Sequence, residues 1–164
     1  MRLKRRSRRD SHEPVDLDLT GDEFVPLALA AFDGLVNDLG LLLSASADYE
    51  TRAFVEWQAM CGRLRVTDDR RASLVEVFVV RRATDADQRN ARGLIHNGEA
   101  WLPLWAIVRA SGGDLGPVLS GRRRLQYLSA AAAALNEYGA PFMMFERVPL
   151  ADVAAVIEQN RQPA

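Results

Sequence analysis

The sequence predicts an α+β fold: an N-terminal helix, an antiparallel β-meander of 3–5 strands, then three C-terminal helices packed on the sheet. Three observations predict it. Period-two alternation of β-branched and aromatic residues is concentrated in RAFVEWQAMCGRLRVTDDRRASLVEVFVVRR, residues 52–82. Before it, Phe24, Leu27, Ala31, Leu35 and Leu39 recur at spacings of three and four. After it, Leu125, Leu128, Ala132 and Leu135 form one helical stripe, and Leu150, Val153, Ala154 and Ile157 another.

Residues 1–19 carry no apolar periodicity and read as a disordered tail, leaving 20–161 as a single α+β domain. Thr20 and Glu23 have the spacing of a capping box, with Asp22 as an alternative cap. Pro26 fits a first turn, and Gly40 ends the helix. Residues 41–45 suit a short first strand, with 46–50 as a connection. In the central stretch Val55, Trp57 and Ala59 oppose Phe54, Glu56 and Gln58 across the pleat. Residues 48–61 stay open between two readings, because Tyr49, Ala53, Trp57 and Cys61 also fall at helical spacing. Leu64 and Val66 alternate with Arg63, Arg65 and Thr67; Val75, Val77 and Val79 alternate with Leu74, Glu76, Phe78 and Val80. A polar reversal over 68–73 places Val66 opposite Val75 and Arg65 opposite Glu76. One face is therefore apolar and must be covered, while the other mixes charge with Phe54 and Phe78.

Residues 83–92 read as a polar loop, and 94–96 as an edge strand turned by Asn97-Gly98. Pro103 opens a second helix, which Gly112-Gly113 ends. Trp101 and Trp105, four apart, belong to the core against the sheet or to a partner contact. Ser120 caps the third helix, Gly139 stops it, and Pro149 starts the last. Residues 142–145 form a short apolar edge strand or plug.

The net charge of −1 hides a division. Arg2, Lys4, Arg5, Arg6, Arg8 and Arg9 crowd the first nine positions, and the rest holds 15 basic against 22 acidic residues, a net of −7. Nucleic acid is disfavoured except through the basic tail 2–9, because phosphate neutralisation drives such binding. No segment approaches the roughly 20 apolar residues of a membrane helix. The lone Cys61 excludes an internal disulfide and fits a reducing cytoplasm. As a nucleophile it would need His96, the one histidine outside the tail; a turn or core cysteine is the simpler reading.

No phosphate loop, dinucleotide fingerprint, zinc-ligand spacing or nucleophile elbow is present, so no catalytic residue, metal or cofactor is expected. The acidic clusters Asp68-Asp69 and Asp85-x-Asp87 lie in polar connections and suit the steering of a basic partner. Arg122, Arg123 and Arg124 sit in the first turn of the third helix. They either reach acids such as Asp114 and Glu76 or meet an anion.

The block GRLRVTDDRRASLVEVFVVRR, followed by LQYLSAAAAALNEYGAPFM and a terminal helix, resembles the small α+β immunity proteins of bacterial polymorphic toxin systems. That resemblance covers roughly 41–161 and lies in pattern and element order. It implies a non-enzymatic inhibitor that neutralises a toxin by stoichiometric binding. The same features resemble secretion-chaperone-like α+β domains, which dimerise and bind a secreted client, so a homodimer is a second expectation. A small-molecule-binding domain or an enzyme is a further alternative. The proposed contacts on this reading are Asp68, Asp69, Asp85 and Asp87, with Trp101 and Trp105 as apolar anchors.

Overall fold

A computed structural model describes residues 21–90, 92–115, 124–140 and 150–161. The fold is α+β, with an N-terminal helix, an antiparallel sheet and C-terminal helices, as the periodicities require. Among the described residues the buried apolar side chains, Val80 apart, form one cluster.

Helix α1 spans Gly21–Leu39. Phe24, Ala28, Phe32 and Leu35 are its buried stripe, and Leu27, Ala31 and Leu39 flank it half-buried. The buried line is thus rotated slightly from the one read off the sequence. Pro26 lies beyond the first turn, where its ring denies the Asp22 carbonyl a helical donor. The helix ends as Gly40 requires. Gly40 takes a φ of +62°, its N–H donates to the Asn37 carbonyl at 3.3 Å, and the Leu41 N–H donates to the Val36 carbonyl at 2.9 Å. These are the two bonds of a Schellman cap, with Leu41 buried as its apolar contact.

The sheet has six antiparallel strands in the order β1-β2-β3-β4-β6-β5. They are β1 Leu42–Tyr49, β2 Arg52–Gln58, β3 Gly62–Asp69, β4 Leu74–Arg82, β5 Ile95–His96 and β6 Glu99–Pro103. The open choice over 48–61 resolves to strand, because Val55 and Trp57 lie within a paired ladder on both sides. Two expectations need correction. Residues 46–49 are no connection: β1 runs to Tyr49, and pairing with β2 imposes a strand whose side chains carry almost no periodic signal. The β3–β4 reversal is also tighter than 68–73. Asp68 and Asp69 belong to β3, and the Asp69 carboxylate accepts the Arg71 and Ala72 N–H groups at 3.1 Å, closing the turn. Val66 therefore faces Val77, not Val75, and Arg65 faces Phe78, not Glu76. A shift of two residues preserves parity, so the faces are those expected. Ala53, Val55, Trp57, Leu64, Val66, Val75, Val77, Val79, Ala100 and Leu102 make the buried face. Phe32 of α1 packs its ring 5.5 Å from that of Trp57.

Residues 83–92 are not a plain loop, since helix α2 spans Asp85–Asn90. Thr84 and Asp87 cap it reciprocally. The Thr84 N–H donates to the Asp87 carboxylate at 2.7 Å, and the Asp87 N–H donates to Thr84 Oγ1 at 3.2 Å. Arg81 closes on both Asp87 oxygens at 2.9 and 3.1 Å. Burial alone would raise the Asp87 pKa; the Thr84 N–H and the Arg81 and Thr84 side chains outweigh it and hold the carboxyl below its ordinary value. A depressed folded pKa adds stability above the unfolded pKa of about 4, and this is lost as pH falls through the folded value. The wild type should therefore lose more urea-melt midpoint than Asp87→Asn between about pH 5 and pH 2.5. Parallel losses would remove the clamp from the acid response.

Asn97 and Gly98 take φ of +52° and +78°, the pair a two-residue primed turn demands, and join β5 to β6. Helix α3 spans Leu104–Ala110. A second Schellman cap ends it, with the Gly112 N–H on the Arg109 carbonyl at 3.0 Å and that of Gly113 on Val108 at 2.9 Å. Trp101 and Trp105 do not share a helix: Trp101 lies in β6 opposite Val80, and Trp105 lies in α3.

Helix α4 spans Arg124–Ala134 and runs into a π-turn over Leu135–Gly139. Leu128, Ala131 and Leu135 are its buried line. Gly139 is no stop, because Ala140 remains helical at φ −56° and ψ −42°. Gly139 is buried, and a Cβ there would strike Leu135 and press on Leu104 at 3.2 Å, so glycine permits close packing. Helix α5 spans Leu150–Arg161, with Val153 and Ile157 buried and α3 as its main neighbour. Residues 1–19, 120 and 142–145, on which the expectations of a tail, a cap and an edge strand fell, lie outside the described residues.

Candidate functional site

Three surfaces of the sheet present chemistry beyond packing. The first is its mixed face. Glu56 faces Arg65 across the β2–β3 ladder, and its carboxylate meets Arg65 at 3.3 Å and Arg63 at 3.4 Å. Arg63 also meets Glu99 at 2.5 Å. The Arg65 guanidinium lies 4.0 Å over the Phe54 ring, and both arginines lie within 6 Å of the Trp101 ring centre, at 5.7 and 5.9 Å. Phe78 meets Trp101 edge-on at 5.9 Å. Arginine stems and aromatic rings thus cover one another and half-bury a face that has charge at its centre. The Trp101 indole N–H is buried with no acceptor among the described residues.

The second is a cleft where β6 ends. Pro103 faces Phe78, so among the described residues the first residues of β4 have no strand on that side. Among the described residues, Leu74, Val75, Glu76, Trp105, Arg109, Tyr127 and Asn160 line a cleft of about 370 Å³ there. Burial raises the Glu76 carboxyl pKa, against a downward pull from Arg52 and with a further push from Asp69. Burial, then the neighbouring Glu76 charge, pushes the Tyr127 phenol up to about 12. Arg109 lies over Trp105 at 5.8 Å and donates to Asn160 Oδ1 at 3.1 Å.

The third is the outer edge of β1, eight residues long and, among the described residues, paired on one side only. Leu42, Leu43 and Tyr49 are 72%, 54% and 63% exposed, and Met60 in the β2–β3 turn is 99% exposed. These four are the exposed large apolar side chains among the described residues. Leu42 pairs with Gln58, so Leu42, Leu43 and Met60 share one end of the sheet. Asp48 is the strand's single charge, and β1 holds no lysine, arginine or proline, the residues that blunt an edge. A bulge between Leu43 and Ala45 is its one irregularity.

The four acids expected to steer a partner are not one exposed set. Asp68 is fully buried within β3, 3.9 Å from the Arg70 guanidinium, and Asp87 is buried in the Arg81 clamp. Asp85 is exposed at the start of α2, and Asp69 is engaged in the β3–β4 turn. The charge imbalance shrinks too: Asp10, Glu13, Asp16 and Asp18 precede α1, and 21–164 holds 15 basic and 18 acidic residues, a net of −3. Cys61 lies in the β2–β3 turn, half-exposed, in a shallow depression with Arg63, Arg81, Arg82 and Glu99; His96 does not line it. Arg122 and Arg123 lie outside the described residues, and Arg124 begins α4. Among the described residues no helix is long and apolar enough to cross a membrane. Polar residues near a reversal look exposed in sequence, whereas the register draws Asp68 into the ladder. The cleft had no sequence signal, since its lining comes from β4, α3, α4 and α5. The chain matches no protein-family model, and no curated protein or solved structure is significantly similar to it.

Proposed function

We propose that this protein acts by stoichiometric binding to another protein, as an immunity-type inhibitor that receives an extended segment of a toxin on the outer edge of β1. The observation that carries the reading is that edge: eight residues, apolar side chains exposed at both ends, and a single charge, Asp48, which the Arg70 guanidinium already pairs. An unpaired edge offers main-chain donors and acceptors to a new strand, while pockets beside it select side chains. The element order that resembles immunity proteins agrees with it. The arginine–aromatic face does not compete, because its arginines are already paired with Glu56 and Glu99.

The test pairs the purified protein with the product of the neighbouring reading frame. Leu43→Lys combined with Ser46→Lys places two charges on the edge. Both sites are exposed, so each stability change should stay within about 0.5 kcal/mol. Affinity for the partner should fall at least tenfold, most of it in dissociation. Undiminished affinity would move the interface elsewhere. A protein that is dimeric alone, and made monomeric by the same pair, would favour the chaperone-like reading instead.

A further inference from the structure

We propose that the cleft beside β4 is a binding site for a small zwitterion, an amino acid or a dipeptide. Glu76 on β4 and Arg109 on α3 line the same cleft, and no ion pair joins either of them to an opposite charge among the described residues. Around them stand the rings of Trp105 and Tyr127 and the side chains of Leu74 and Val75. A few convergent polar groups in an apolar concavity are what a small-ligand site requires. Each charge asks for a different end of one molecule.

Glu76 is partly desolvated, so an ammonium placed against it recovers a charge-assisted hydrogen bond that water supplies poorly there. Arg109 is already oriented, with its guanidinium over the Trp105 ring and on the Asn160 side-chain oxygen. It keeps further N–H donors for a carboxylate, and holding the fork in place lowers the entropy lost on binding. The apolar walls accept an aliphatic or aromatic side chain. A cation alone leaves Arg109 without a carboxylate, and an anion alone leaves Glu76 with only the electrostatic pull of Arg52. The volume, about 370 Å³, lies at the lower end of the range usual for ligand pockets. The site stands three strands from β1 in the sheet and is independent of the proposal made for that edge.

Calorimetric titration of the full chain with L-leucine and with L-leucyl-L-leucine tests this. At least one should bind at a single site. For the dipeptide, N-acetylation removes the ammonium and C-terminal amidation removes the carboxylate. For leucine, 4-methylpentanoate and 3-methylbutylamine are the corresponding half-ligands. Each should bind at least tenfold more weakly than its parent. Glu76→Gln should abolish the preference for a free amine, and Arg109→Gln the preference for a free carboxylate. Titration of the unaltered protein should shift the Trp105 indole resonance, assigned through Trp105→Phe, which keeps the test valid if a charge variant fails to fold. The proposal is overturned if neither probe binds, if the amine half-ligand binds as tightly as its parent, or if binding leaves Trp105 unmoved.

Discussion

Val77→Asp is expected to abolish the cooperative unfolding transition. Val77 is 1% exposed at the centre of β4, paired with Val66 and enclosed by the helices on the apolar face. A carboxylate there has no partner, and a buried unpaired charge costs several kcal/mol even when the group answers by taking up a proton. Total stabilities of domains run from about 5 to 15 kcal/mol, so the loss takes most or all of it. On the opposite face, Arg65→Ala tests the parity. Arg65 pairs with Glu56 and covers the Phe54 ring, and its removal leaves Glu56 to Arg63 and Ser44. The expected loss is about 1–2 kcal/mol, more than for a surface pair because Glu56 is largely buried. Urea melts followed by near-ultraviolet circular dichroism read both variants. Equal damage from the two, or a cooperative transition retained by Val77→Asp within about 1 kcal/mol of the wild type, would refute the assignment of faces.

Phe32→Ala is expected to cost about 3–5 kcal/mol while the protein still folds. The Phe32 ring is fully buried on α1 and lies 5.5 Å from that of Trp57 at an interplanar angle of 35°. Its removal takes away apolar burial and leaves a cavity between helix and sheet that rigid strands cannot collapse. Asp33→Ala, one position along and exposed, should change stability by no more than about 0.5 kcal/mol. The comparison isolates packing from helix propensity, because both changes introduce alanine into the same helix. A loss below about 1 kcal/mol for Phe32→Ala would mean that α1 does not seal the apolar face.

The uneven legibility of the chain has a physical origin in particular residues. The two faces of the sheet could be read because Val55, Trp57, Leu64, Val66, Val75, Val77 and Val79 alternate with polar or half-covered neighbours, and a pleat converts alternation directly into sidedness. Helix ends at Gly40 and Gly112 could be read because a positive φ is a property of one residue. The register between β3 and β4 could not. The Asp69 carboxylate closes the turn two N–H groups on, and no periodicity distinguishes that turn from one a residue earlier. Helix α2 was hidden for a related reason: its six residues are all polar or small, and what holds it is the Thr84–Asp87 cap and the Arg81 clamp. Trp101 and Trp105 showed a helical spacing, but the Asn97–Gly98 turn commits Trp101 to a strand first.

What the sequence determined by itself was the α+β class, the parity of the central strands and where the first helix and α3 end, all of which follow from local conformational preference and from period. What only the tertiary structure decided was which residues meet. The length of β1 as a sheet edge, the burial of Asp68 and Asp87, and the Glu76–Trp105–Arg109–Tyr127 cleft all depend on segments far apart in the chain. Hydrogen bonds and packing between such segments leave no mark on the local pattern of any one of them.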